Sequence, residues 1–252
     1  MDLSGSVVLV TGASGGIGAA TCALLAERGA RVIASGRDAV ALEKVAAGCG
    51  GTPLVADLRV PDECERLAEQ AMNVHGWVDG LVANAGVGLA GRYEASSPAS
   101  IIDLVQVNLT APMLLSRALL PGLLERGRGH LAFVGSIAGL TGVPGEAAYS
   151  ATKAGISGLV EALAQECHSR GVTVSSVVPG VVDTGFFERR GVPYTRRFPR
   201  LIAPERVARA IVVSIERGRT ETIVPRWLGL APRVRALSPS GYRRLARRFG
   251  KS

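Results

Sequence analysis

The chain has 252 residues, 47% of them hydrophobic, with 29 basic and 21 acidic side chains and a net charge of +8. That composition is ample for one sizeable core, and 32 glycines without a fixed period exclude collagen-like and repeat architectures. Cys22, Cys49, Cys64 and Cys167 form no Cys-x-x-Cys pair and His75, His130 and His168 lie far apart, which excludes a disulfide framework and a metal site and points to free thiols in a reducing compartment.

The first residues lack the basic n-region of a signal peptide, and no uninterrupted apolar run reaches the ~18 residues of a membrane span. A cytoplasmic protein is expected. The charge is unevenly placed. Residues 226–252 hold Arg226, Arg233, Arg235, Arg243, Arg244, Arg247, Arg248 and Lys251 and no acidic residue, while residues 1–225 are balanced.

Ser6 to Thr11 is a short apolar run, as expected of a strand buried on both faces. Thr11, Gly12, Ser14, Gly16, Ile17 and Gly18 follow, and then a helical stretch closed by Gly29. Strand, glycine turn and helix are the context of a nucleotide-binding loop. Backbone N–H groups and the helix N-terminus face a pyrophosphate, and the glycines admit it closely. Residues 30–35 read as a second strand, whose end is where a dinucleotide's adenosine ribose lies. An acidic residue there suits NAD; here stand Ser35, Gly36 and Arg37. The cation of Arg37 suits a 2′-phosphate, so NADP(H) is expected over NAD(H). Asp38 sits where a helix N-cap would.

A third strand, from Thr52, ends in Asp57 and Leu58. Asp57 fits an adenine amino group or a cap of the helix starting near Pro61. A fourth strand, from Val78, runs into Asn84, Ala85 and Gly86, small enough to let a ligand pass; the Asn84 amide also suits neighbouring backbone. Ser97 and Pro98 open a long helix reaching about Arg126, with Asn108 among apolar neighbours, either a core residue satisfied by backbone or a holder of water.

The run from Leu131 reads as a buried strand, which puts Ser136 at a strand's C-terminal end, where open α/β sheets bind ligands. Tyr149 and Lys153 are four apart, one turn on the same helical face. An ammonium beside a phenol favours the phenolate, so the tyrosine pKa is expected to fall from ~10 toward the range of a working proton donor or acceptor. Residues 171–178 read as a further strand, Pro204 to Arg217 as a helix and Glu221 to Pro225 as a last strand. Between them, residues 185–203 mix Phe186, Phe187, Tyr194 and Phe198 with Arg189, Arg190, Arg196, Arg197 and Arg200.

Taken in order over residues 5–225, these motifs resemble the short-chain dehydrogenase/reductases of the ~250-residue type. The resemblance implies a Rossmann-like, doubly wound parallel sheet of seven strands, order 3-2-1-4-5-6-7, in a three-layer αβα domain over residues 1–225, with 226–252 a tail rather than a second domain. It implies a catalytic set of Asn108, Ser136, Tyr149 and Lys153. Tyr149 is the acid/base, Ser136 polarises the substrate oxygen and Asn108 positions a water. Lys153 lowers the tyrosine pKa and holds the nicotinamide ribose. Cofactor contacts carry over to Gly12, Ser14, Gly16, Ile17, Gly18, Asp57, Leu58, Asn84, Ala85 and Gly86. Pro179, Gly180, Val182 and Thr184 match the nicotinamide-side loop. Ala83 departs from the family, which often has asparagine there. The segment 185–203 resembles the substrate lid, its aromatics suggesting a greasy substrate and its arginines an acidic carrier. An oxidoreductase interconverting a ketone and a secondary alcohol follows, with 3-oxoacyl-thioester reduction on an acyl carrier as a specific alternative and a non-catalytic dinucleotide-binding regulator or scaffold as another class. Subunit pairing into a homodimer or homotetramer, through the helices after Pro98 and Gly145, is a family expectation.

The family does not explain the tail. Tyr242, Leu245, Ala246 and Phe249 fall on one helical face with arginines on the other, a pattern suited to an anionic membrane surface. Docking on a second subunit or guiding an acidic carrier are the rivals. Nucleic acid is not expected, since no recognition module accompanies the charge.

Overall fold

The computed structural model describes residues 1–195 and 197–249. Seven strands, β1 (Val7–Thr11), β2 (Arg31–Gly36), β3 (Thr52–Val55), β4 (Gly80–Ala83), β5 (Gly129–Val134), β6 (Val172–Pro179) and β7 (Glu221–Val224), form one sheet. All pairings are parallel, in the order β3-β2-β1-β4-β5-β6-β7. The helices are α1 (Gly16–Glu27), α2 (Ala39–Cys49), α3 (Pro61–His75), α4 (Pro98–Val105), α5 (Ala111–Glu125), α6 (Ile137–Thr141), α7 (Ala147–Cys167), α8 (Phe186–Arg189), α9 (Pro204–Arg217), α10 (Leu230–Leu237) and α11 (Pro239–Phe249). This is the expected fold. Strand order reverses between β1 and β4, and the C-terminal strand ends there open a crevice.

Strand alternation builds the two layers. Val7 and Leu9 of β1 face one side, with Leu67 of α3, Leu115 of α5 and Ile156 of α7. Val8 and Val10 face the other, with Leu25 of α1, Leu42 of α2 and Ile211 of α9. Both faces are covered, so β1 and β5 are buried along their whole length and are apolar but for Thr11 and His130.

The helix opened by Ser97, whose hydroxyl accepts from the Ser100 N–H, runs from Pro98 to Glu125 through one π-helical turn at Gln106–Thr110. It is long and apolar enough, by length and composition, to cross a membrane. Its buried face, however, is part of the core through Leu104, Leu115, Leu119 and Leu123. Three of the strands stop short of their sequence-expected ends. Asp57 lies beyond β3, Asn84 beyond β4 and Ser136 beyond β5, so each side chain sits in the loop at a strand's C-terminal end. All four cysteines are free; Cys22, Cys64 and Cys167 are buried and Cys49 is half-buried.

Candidate active site

A cleft of about 850 Å³ runs along the C-terminal strand ends, from Arg37 at the tip of β2 to the lid around α8. Of the sequence-expected residues, Gly12, Ser14, Gly16, Ile17, Gly18, Arg37, Asp57, Leu58, Asn84, Ala85, Gly86, Ser136, Tyr149, Lys153, Pro179, Gly180, Val182 and Thr184 all line it. Asn108 does not.

The glycine turn leaves no room for side chains. Gly12 has φ +63°, and a Cβ there would lie 2.8 Å from Ala85 Cα; a Cβ on Gly18 would lie 2.1 Å from the Gly12 carbonyl oxygen. On the far side Thr184 closes in, its methyl 2.7 Å from where a Gly16 Cβ would stand. α1 starts here with no side-chain cap and no acidic residue in its first turn, so its N–H groups are left for an anion. The glycine cradle therefore fits the pyrophosphate of a dinucleotide.

Around the cradle the polar side chains have distinct employment. Asn84 donates its amide to the carbonyls of Thr11 (2.9 Å) and Gly12 (3.2 Å), stapling the end of β4 to the turn. Asp38 caps α2 by accepting from the Ala41 N–H at 3.0 Å, as expected. That leaves Arg37 as an exposed cation at the cleft edge. Asp57 does not cap α3, whose cap residue is Val60. It is forked by the Arg59 side chain and also accepts from the Arg59 backbone N–H at 3.1 Å, and this guanidinium holds its carboxyl below the usual carboxylate range.

At the other end α7 carries Tyr149 and Lys153 on one face. The Ser136 hydroxyl lies near enough to the phenol to favour its ionised form and accepts from the Ala138 N–H at 3.2 Å, so it is fixed as the cap of α6. Lys153 is buried. Its Nζ donates to the Val134 carbonyl at 2.8 Å and lies 5.9 Å from the centre of the Tyr149 ring. The expected lowering of the tyrosine pKa is not what this geometry gives. Burial pushes Tyr149 up to about 12, opposed by the Ser136 hydroxyl, reinforced by the Glu146 carboxylate and opposed again by Arg190. Burial likewise pulls Lys153 down to about 8. Desolvation penalises both charged forms more than their proximity rewards them.

Asn108 sits one layer behind the cleft, in the π turn, and is buried. Its Oδ1 accepts from the Val87 N–H at 2.8 Å, and its Nδ2 donates to the Val87 carbonyl at 2.9 Å and to Thr152 Oγ1 at 3.3 Å. A Cβ on Gly86 would lie 3.4 Å from Asn108 Oδ1 and 3.8 Å from Lys153 Nζ, so the chain after β4 threads between these two side chains. Asn108→Ala breaks three hydrogen bonds and leaves the Val87 amide groups without partners. The expected cost is about 2–3 kcal/mol, a fall in Tm of roughly 5–10 °C measured by thermal unfolding.

The lid brings its sequence-expected aromatics to the cleft, and it pairs Arg190 with Glu146, a residue that sequence reasoning did not single out. Phe186 of α8 stands against Tyr149, ring centres 5.7 Å apart, and Phe187 and Tyr194 continue the aromatic chain at 5.6 and 5.3 Å. Arg190 lies over the Phe187 ring at 4.5 Å and ion-pairs with Glu146 at the start of α7, both side chains largely buried. Glu146 lies three residues before Tyr149, a spacing that places it near the same face. Arg190 is thus spent inside the protein rather than offered to a carrier. Arg196 lies outside the described residues.

The whole chain and its parts agree with known proteins. Residues 6–192 match the family described as short chain dehydrogenase. The 3-oxoacyl-[acyl-carrier-protein] reductase FabG of Vibrio cholerae is 38% identical over 73% of this chain and 76% of its own. Ketoacyl reductase HetN of a Nostoc species is 34% identical over 98% of this chain and 90% of its own. Among solved structures, a short-chain dehydrogenase from Sphingobium yanoikuyae in complex with NADPH superposes with a TM-score of 0.82 at 29% identity, covering 93% of this chain and 96% of that one. Sheet order, glycine turn and the cluster of Ser136, Tyr149 and Lys153 thus meet in a chain whose relatives reduce keto groups: it belongs to the short-chain dehydrogenase/reductases and is an oxidoreductase of that family.

Proposed function

We propose that the protein is an NADP(H)-dependent reductase of a hydrophobic ketone, with Ser136, Tyr149 and Lys153 as its catalytic residues and Asn108 as their support. The observation that carries this is Ser136 and Tyr149 meeting in the cleft wall with a buried ammonium beneath the tyrosine ring, in a cleft that continues to the glycine turn. When bound, the dinucleotide supplies the hydride. Tyr149, kept protonated by burial, gives its proton to the substrate oxygen as the carbonyl carbon is reduced. Ser136 donates a hydrogen bond to that oxygen and polarises it. Lys153 holds the nicotinamide ribose and shares the proton load of Tyr149. Asn108 keeps the chain after β4 against Lys153, and a water it positions links that lysine to solvent. Phe186, Phe187 and Tyr194 make the substrate wall apolar and keep water from the reacting oxygen.

Arg37 supports the preference for NADP(H), since Asp38 is occupied as a cap and no carboxylate at the tip of β2 competes for a ribose hydroxyl. Reduction of a 3-oxoacyl group on a carrier is the specific case favoured by the similarity to FabG and HetN. Residues 1–225 form the catalytic domain and 226–252 a tail on it. We infer a cytoplasmic enzyme, for which four free thiols are suited, that assembles into a homodimer or homotetramer through α7 and the outer face of α4 and α5. That face carries the exposed apolar side chains Ile102, Val105 and Met113.

The test is a ketone panel followed at the nicotinamide absorbance with NADPH and NADH in parallel. Turnover with NADPH is expected for apolar ketones. Arg37→Ala is expected to raise KM for NADPH by about 10-fold or more, one charge-assisted contact, with KM for NADH unchanged. A wild-type preference for NADH would overturn the cofactor assignment.

A further inference from the structure

The tail has a helix whose apolar side faces outward. In α10, Leu230, Val234 and Leu237 recur at i, i+4 and i+7, one stripe along the helix. Their exposures are 65%, 37% and 88%. Trp227, three residues before Leu230, prolongs the stripe at 50% exposure and stacks on Phe198 of the lid segment, itself 68% exposed, with ring centres 5.1 Å apart and planes 23° apart. The inner side of the same region is secured to the body. Arg235 donates to the Leu140 carbonyl at the end of α6 (2.6 Å), Leu228 is buried against Gly180, and Ala231 and Pro232 are half-buried. The stripe is therefore held open to solvent by a fixed helix. Contiguous apolar surface of this kind marks an interaction site.

Charge selects the occupant. The stripe belongs to a segment with eight basic residues and no acidic one, of which Arg226, Arg233, Arg243 and Arg244 are exposed. A second copy pairing through this face in a two-fold contact would bring arginine against arginine. A surface that is anionic outside and apolar beneath is complementary to both features at once. Phe198 belongs to the stretch that also gives Tyr194 and Pro199 to the cleft wall, so the patch lies beside the cleft mouth.

We propose that α10 and α11, together with the Phe198–Trp227 pair, form an interfacial binding site for an anionic phospholipid surface. The stripe enters the headgroup boundary and the arginines meet the lipid phosphates. Of the sequence-expected apolar face on α11, Tyr242 and Ala246 are half-buried, while the side chains of Leu245 and Phe249 lie outside the described residues.

The experiment is co-sedimentation of the full-length protein with vesicles of phosphatidylcholine alone and of phosphatidylcholine mixed with phosphatidylglycerol, across a salt series. Sedimentation with the phosphatidylglycerol vesicles, weakening as salt rises, is expected. The double variant Leu230→Ser, Leu237→Ser is expected to lower the partition coefficient by about 10-fold or more. The double variant Arg243→Gln, Arg244→Gln is expected to lower it by about fivefold per arginine. Both sets of positions are exposed, and the wild-type salt series decides the matter even if a variant folds poorly. Equal binding to neutral vesicles, no binding to either, self-association through the stripe seen by ultracentrifugation without vesicle binding, or retention by an acidic carrier protein in place of vesicles would each overturn the proposal. The readout needs no turnover, so its failure is distinct from failure of the reductase reading.

Discussion

Tyr149→Phe is expected to lower kcat for ketone reduction by about 10²- to 10⁴-fold, the usual range for loss of a positioned proton donor, while the dissociation constant for NADPH stays at the wild-type value. The substitution is unusually clean here. A phenyl ring keeps the contact with Phe186 at 5.7 Å and remains above Lys153 Nζ at 5.9 Å, so lid and lysine keep their places. Only the hydroxyl and its interaction with Ser136 are lost. Ser136 retains its partner, the Ala138 N–H, and so keeps its place in the cleft wall. A fall in kcat without a change in cofactor binding is the signature of an interaction made at the reacting oxygen alone. Stopped-flow turnover and quenching of cofactor fluorescence measure the two quantities separately. Near-normal turnover would remove Tyr149 from the mechanism.

Those particular residues could be found because their signals are local in the chain. The glycines of the turn, the four-residue step from Tyr149 to Lys153 and the run into Ser136 each announce a backbone geometry, and strand burial on both faces makes the sheet readable as apolar runs. The parts that escaped depend on contacts across the sequence. Glu146 and Arg190 become a pair only when the lid folds back 44 residues along the chain, and their meeting spends a cation that composition alone assigns to the solvent. α10 is hidden by Pro232, which looks like a helix breaker yet sits in the first turn, where a proline costs no hydrogen bond. The direction in which Leu230, Val234 and Leu237 face cannot be read from their spacing, since an inward and an outward stripe have the same period. The pKa of Tyr149 is not legible in the sequence for a related reason. Spacing gives the distance to the ammonium but not the depth of burial, and here depth dominates.

That depth has a measurable consequence for Lys153. Its folded pKa of about 8 lies below the ordinary 10.5. Below pH 8 the ammonium is charged in both states, and the fold carries the full cost of burying it, about 3 kcal/mol. Between about pH 8 and 10.5 the unfolded chain still binds the proton that the folded chain has released, so stability rises with pH across that window. Tyr149 acts in the opposite sense at higher pH. Its folded pKa of about 12 exceeds the ordinary 10, so from pH 10 upward the unfolded phenol ionises first and stability falls. A stability maximum near pH 10 is therefore expected from this pair. Lys153→Met, which keeps the volume and removes the charge, is expected to unfold at a higher temperature than wild type at neutral pH, with the difference shrinking as pH approaches 10. The Val134 carbonyl, which loses a donor at 2.8 Å, returns part of that gain. Activity moves the other way. Because kcat/KM for NADPH follows the ionisation of the free enzyme, it is expected to fall about 10-fold per pH unit above pH 8, as the charge proposed to hold the ribose is lost. Thermal unfolding of both proteins from about pH 7 to 10, with kcat/KM over the same range, tests the two limbs together. A flat kcat/KM to pH 10 with no thermal gain in Lys153→Met would mean that the ammonium is solvated, and the proton path through it would have to be abandoned.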